Sequence, residues 1–269
     1  MSITITGITT TATPHGERIR KDIVMIKMRM RSEEFMVFQR FYTYPPTECK
    51  WQWILRNIKQ KPIPCTHEIV DIGIYDLLKP PYQHSKEKLE KWKSLQTKGW
   101  KVVPDCPDLQ GEFNQEINFD NVEYSWELLT KLYNPKDITH LPVVQSHYQQ
   151  IKSFKDYIKR FKEKYGVVDK VAIGSICKAD DHDVGIKMLK IARREFPESW
   201  IHAFGLRFQQ FKRAYDLIDS YDSTSWTFPR DSGRSSCRNK EERIEYFFDY
   251  VQRINEVTYP INKYQGVLI

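Results

Sequence analysis

The sequence predicts an α/β protein folded as a single (β/α)8 TIM-type barrel, with parallel strands inside and helices outside. Three observations predict it. The length of 269 residues suits one such barrel, which typically takes about 250. Six short apolar runs each end in a polar residue or glycine. Amphipathic segments with helical periodicity lie between them.

The runs are "HEIVDIG", "KVVPDCPD", "HLPVVQSH", "KVAIGSI", "SWIHAFGL" and "LIDSYDSTSW". With Asp71, Asp105, Gln145, Gly174, Gly205 and Asp222 as markers, the intervals are 34, 40, 29, 31 and 17 residues. A βα unit takes about 30 residues or more, so most gaps hold one helix and the last holds a short one. Two further strands are expected in "DIVMIKMRM" and "FMVFQRFYTY", which would complete eight. Residues 1–22 are an arm or an early strand, and 231–269 a C-terminal loop and helix, so one domain spans 1–269. No strand is followed by GxGxxG, which weighs against an open dinucleotide-binding sheet.

The helices follow from spacing. In "QQIKSFKDYIKRFKEKYG", Ile151, Phe154, Tyr157, Ile158 and Phe161 recur every three or four residues, and Gly166 suits the C-terminal stop. In "NKEERIEYFFDYVQRIN", Asn239 can cap and Glu241 and Glu242 suit the first turn's dipole. Its apolar stripe is Ile244, Phe247, Phe248, Val251 and Ile254. Phe208, Phe211, Ala214, Tyr215 and Ile218 form a third stripe.

The formal net charge of +7 suits a polyanionic partner, most commonly nucleic acid, and equally a solvated basic face; charge alone does not separate the two. The five cysteines show no CxxC or CxC spacing, and no apolar leader is visible. A reduced, cytoplasmic setting is expected, in a bacterial, archaeal or phage-infected cell. No apolar run approaches the ~20 residues of a membrane span, so no membrane partner is expected.

Asp71, Asp105 and Asp222 each end an apolar run, and Gln145 does the same. In a parallel barrel the strand C-termini converge on one face, where active sites lie. Carboxylates crowded there raise one another's pKa, as a general acid requires. Any one Asp is more often a turn or helix-cap residue. Recurrence at one phase of the repeat favours a site.

Six stretches, in order from about residue 68 to 230, resemble tRNA-guanine transglycosylases. "VDIGIYD" resembles that family's "DSGGFQ" strand, "PDCPD" its "DEC", and "PVVQSH" its "GIVQGG". "VAIGSICK" resembles "YAVGGLAVGE", and "HAFGLRF" its Gly-rich strand before the nucleophile. "IDSYDSTSWTFPR" resembles "VDMFDCVLPTR", with Asp219 and Asp222 three apart and a closing Pro-Arg. The resemblance implies a barrel enzyme that exchanges guanine in nucleic acid for a free 7-deazaguanine base such as 7-cyano-7-deazaguanine. It implies Asp222 as nucleophile, Asp71 as general acid and base, and Asp105, Gln145, Gly174, Ser175 and Gly205 around the base. Ser175 stands where the family has a second Gly, and "IGIY" replaces "SGGF".

The family's tRNA enzymes carry CxCxxC and a distant His that hold zinc. Only Cys237 follows Asp222 here, with no later His, so no zinc subdomain, metal or other cofactor is expected. That departure is more similar to the superfamily's DNA-modifying branch, found in bacteria and phages. DNA is therefore favoured over tRNA. Arg230, Arg234, Arg238 and Lys240, in or beside "PRDSGRSSCRNK", are the expected backbone-binding residues. Tyr75, Tyr221 and Trp226 could stack on a flipped base, but packing around the barrel rim is the commoner role for each. The alternatives are a tRNA enzyme without the zinc module, a noncatalytic nucleic-acid-binding barrel, and a glycosidase that uses water. A homodimer or a separate protein partner is left open.

Overall fold

A computed structural model describes residues 40–46, 49–74, 77, 82–108, 119–177, 181–227, 237 and 239–258. All of these fall within one compact unit, Val37–Ile269. The expected strand "DIVMIKMRM", the early arm, Tyr75, Arg230, Arg234 and Arg238 lie outside the described residues.

Nine strands are described: β1 (Arg40–Tyr42), β2 (Trp53–Asn57), β3 (His67–Asp71), β4 (Trp100–Val102), β5 (His140–Leu141), β6 (Val143–Val144), β7 (Lys170–Ile173), β8 (Trp200–Ala203) and β9 (Ser220–Asp222). Six α-helices accompany them: α1 (Lys86–Ser94), α2 (Asn121–Leu132), α3 (Ile151–Tyr165), α4 (His182–Glu195), α5 (Phe208–Ala214) and α6 (Lys240–Thr258). The fold is α/β, and every strand pair is parallel, as strand–helix alternation requires. The six apolar runs hold β3 to β9, with β5 and β6 sharing one run and β4 beginning one residue before its own.

One sheet has the order β1-β9-β8-β7-β6 and the other β2-β3-β4-β5. Pro142 separates β5 from β6. It has no N–H to add to a ladder. Leu141 accepts from Val103 N–H at 2.9 Å on one side, while Pro142 itself accepts from Ala172 N–H at 2.8 Å on the other. At the opposite edges, Thr43 N–H donates to Trp53 C=O at 3.4 Å and Leu55 N–H donates to Thr43 C=O at 3.3 Å. Thr43 thus links β1 to β2. A single buried cluster draws Tyr42, Val143 and Ala172 from one sheet and Ile69, Val102 and Leu141 from the other.

Strand β2 was not expected, and its chemistry explains why. Its two buried side chains are Ile54 and Arg56, so the strand carries a charge where an apolar residue would mark it. The Arg56 fork donates to Glu68 Oε2 at 2.7 Å and Oε1 at 3.3 Å, and Thr97 Oγ1 donates to Oε1 at 2.8 Å. Burial of the pair is tolerated because each charge is hydrogen-bonded.

The helices match their expected stripes with one adjustment in each. In α3, Phe154, Tyr157, Ile158 and Phe161 are buried, Ile151 is half-buried, and Gly166 ends the helix at φ +68°. Each such buried side chain contributes roughly 1.5–3 kcal/mol. In α6, Tyr250 is buried and Phe248 only half-buried, because 3.6-residue spacing from Phe247 favours positions 250 and 251. Asn239 Oδ1 accepts from Glu242 N–H at 2.8 Å, the capping bond expected there. In the third stripe α5 ends at Ala214 and Tyr215 is half-buried.

Candidate active site

Strand period two builds the site. Side chains two residues apart share a face. Ile69 and Val143 are in the buried cluster, so Asp71 and Gln145 follow them on the same face at the C-terminal ends. Gly174 follows Ala172 in the same way, and Asp222 follows Ser220. Asp105 lies three residues beyond the end of β4.

The acids differ from the capping aspartates elsewhere in the chain. Asp120 Oδ1 accepts from the backbone of Val122 and Glu123, and Asp181 Oδ1 from Asp183, as helix caps do. Asp71 and Asp222 instead end strands, and the cap of α1 is Ser85.

Electrostatics tie the three candidate acids together. Burial raises the Asp71 carboxyl above its ordinary range; the backbone of Gly73 offsets part of this, the charge of Asp222 adds to it, and Lys88 opposes it. Burial and then the charge of Asp71 push Asp105 up to about 8, against the hydrogen bond from Gln145. Desolvation and like charge therefore act in one direction on both.

Asp105 is gripped from β6. Gln145 Nε2 donates to Asp105 Oδ2, and Ser175 Oγ donates to Gln145 Oε1 at 2.6 Å. Ser175 Oγ also lies 2.9 Å from Ser146 C=O and accepts from Ser146 N–H at 3.2 Å. Ser175 sits at φ +59°, and these bonds offset the strain of that left-handed backbone. Gly174 makes room: a Cβ there would lie 2.3 Å from Gln145 Oε1 and 2.4 Å from Nε2. The serine after Gly174 thus orients the amide.

Asp222 is held by β8 and its following turn. Gly205 N–H donates to Asp222 Oδ1 at 2.9 Å, and Leu206 N–H donates to Asp222 C=O at 3.0 Å. Gly205 adopts φ +62°, and a Cβ on it would lie 2.3 Å from Cys177 Cβ. His202 is fully buried, with Nε2 3.4 Å from Asp222 Oδ1. Sequence reasoning missed His202, although it lies two residues past Trp200 and three before Gly205 in a run already assigned to a strand.

Other expectations resolve differently. Of their two readings, Tyr221 and Trp226 take the packing one and are not base platforms. Tyr221 has no exposed surface and stacks on Phe211 at 4.5 Å, because it alternates with Asp222 and faces away from it. Trp226 is buried against Phe247, its indole N–H donating to Thr43 Oγ1 at 2.9 Å. Asp219 pairs with Arg193 at 2.5 Å and accepts from Ile201 N–H, so it is a structural acid. Lys240 is the exposed first residue of α6.

Among the described residues no group of three or more His, Cys, Asp or Glu is placed to hold a metal ion. No described helix is long and apolar enough to cross a membrane. No protein-family model matches the chain, and no curated protein matches its sequence.

Proposed function

We propose that the chain is a (β/α)8 base-exchange transglycosylase that replaces guanine in nucleic acid, DNA in preference to tRNA, with a free 7-deazaguanine base. The barrel reading takes the two sheets as arcs of one closed sheet, with β5 and β6 as one strand and Thr43 as the seam. The observation that carries the function is the placement of Asp71 and Asp222 at the C-terminal ends of parallel strands, with Asp105 beyond a third strand hydrogen-bonded to Gln145.

The chemistry follows from the three environments. Asp222 attacks the anomeric carbon of the target nucleotide and forms a glycosyl ester. Asp71, with its raised pKa, gives a proton to the departing guanine and later takes one from the incoming base. Two displacements retain configuration. Asp105 and Gln145 meet the edge of the base, the Gln145 amide already oriented by Ser175. Extrusion of the base from a duplex costs a few kcal/mol, which contacts to the +7 chain help offset.

The experiment is incorporation of labelled 7-deazaguanine bases into duplex DNA and into tRNA, with Asp222→Ala as control. Label in DNA supports the proposal, and label in tRNA alone moves the substrate to tRNA. Abasic sites without label identify a glycosidase, and binding without either a noncatalytic protein.

A further inference from the structure

We propose that His202 is the positioning residue for Asp222, and that a one-way hydrogen-bond chain from Trp200 through Ser220 fixes the tautomer it needs. The inference rests on Asp222 as nucleophile for its role, but the chain itself stands on geometry alone.

The chain climbs two neighbouring strands. β8 presents Trp200 and His202 on one face, and β9 presents Ser220 and Asp222, with His202 in register with Ser220. Trp200 Nε1 lies 2.8 Å from Ser220 Oγ. An indole N–H only donates, so the serine oxygen accepts it. Ser220 has no exposed surface, and His202 Nδ1 lies 2.9 Å from its oxygen. If Nδ1 carried the proton, the serine hydrogen would face no acceptor that these contacts supply, at a cost of about 1–3 kcal/mol. The imidazole lone pair at Nε2 would then also lie beside a carboxylate oxygen 3.4 Å away. The arrangement that satisfies Ser220 and Nδ1 has Ser220 O–H donating to Nδ1 and the imidazole proton on Nε2.

Nε2 makes no hydrogen bond among the described residues, and the ring is walled by Tyr42 and Phe204. Asp222 Oδ1 lies 3.4 Å from Nε2, close by but not yet in hydrogen-bond geometry. Such contacts tighten when substrate binds. Oδ1 then has two donors, Gly205 N–H and His202 Nε2–H. That leaves Oδ2 as the attacking oxygen. In the first displacement the bond from Oδ2 to the anomeric carbon forms, and the bond from that carbon to guanine breaks. The electron pair leaves with guanine, which takes its proton from Asp71. Oδ1 becomes the ester carbonyl oxygen and recovers charge in the second displacement. His202 passes no proton; it holds the carboxylate plane and steadies Oδ1.

Nitrogen-15 NMR of histidine-labelled full-length protein at pH 7 reads the tautomer directly, with His202→Gln identifying the signal. The expected result is a protonated Nε2 and an unprotonated Nδ1, with Ser220→Ala shifting that same signal toward the Nδ1–H form. Protonation of wild-type His202 on Nδ1 alone, or on both nitrogens, overturns the proposal. In exchange assays, His202→Leu is expected to lower kcat about 100-fold, as for loss of one directed donor, with the KM for the base within threefold. His202→Gln, which retains an N–H donor, is expected to recover most of that loss. A raised KM with unchanged kcat overturns the positioning role. Wild-type protein with the expected tautomer but no exchange activity leaves the chain standing and removes the transglycosylase reading instead.

Discussion

Ser175 Oγ donates to Gln145 Oε1 at 2.6 Å, and this bond decides which end of the amide faces Asp105. Gln145 is almost fully buried, so its amide has no solvent to turn toward. Ser175→Ala removes the donor and leaves a buried carbonyl unsatisfied, at about 1–3 kcal/mol. The expected outcome in steady-state exchange is a kcat/KM for the base lowered roughly tenfold or more, since 1.4 kcal/mol is a factor of ten. An unchanged value would show that the amide is held by other contacts.

Gly174→Ala tests the same amide from below. Its Cβ would displace the Gln145 carboxamide, which lies 2.3–2.5 Å from that point. The obstacle is the end of a side chain, so the protein should still fold. Loss of base binding with a cooperative thermal transition is expected. Full binding would place the base away from Gln145.

Gly205→Ala strikes the backbone that aims at Asp222. The residue must hold φ +62° with Cys177 Cβ 2.3 Å from the new methyl. Left-handed strain of about 1–3 kcal/mol, at about 2–4 °C per kcal/mol for a chain of this size, predicts a Tm lower by roughly 2–12 °C. kcat should fall with it, because the Gly205 N–H that binds Oδ1 shifts. A variant with wild-type Tm and kcat would contradict the turn's role.

The raised carboxyls predict the slope of stability with pH. Asp71 and Asp105 each keep a proton in the fold that the unfolded chain releases above about pH 4. The folded state binds more protons in that range, so stability falls as pH rises from about 4 toward the folded value, about 8 for Asp105. Each group contributes at most about 1.4 kcal/mol per pH unit. Asp105→Asn, neutral throughout, should flatten the decline in melts between pH 4.5 and 8 and be the more stable protein at pH 8. An unchanged slope would mean that Asp105 titrates normally.

Much of this arrangement is legible in the chain, and parity along strands marks where legibility stops. The six apolar runs locate six strand segments because their buried residues are consecutive, as in Val171, Ala172 and Ile173. Arg56 hides β2, since its partner Glu68 lies in the next strand and no local pattern reveals the ion pair. Tyr221 was legible in principle: if Asp222 faces the site, the preceding residue faces the helices. Trp226 was not, because its burial depends on α6, which is distant in sequence. The part His202 plays depends on the register of β8 against β9, a tertiary fact.

The covalent step gives the most direct test of the central claim. The protein is mixed with end-labelled duplex DNA without any incoming base, denatured and resolved by size. The account predicts a labelled protein band that peptide mapping places on Asp222, that vanishes in Asp222→Ala, and that is chased by added 7-deazaguanine base. An adduct on another residue, or base exchange that persists in Asp222→Ala, would contradict it.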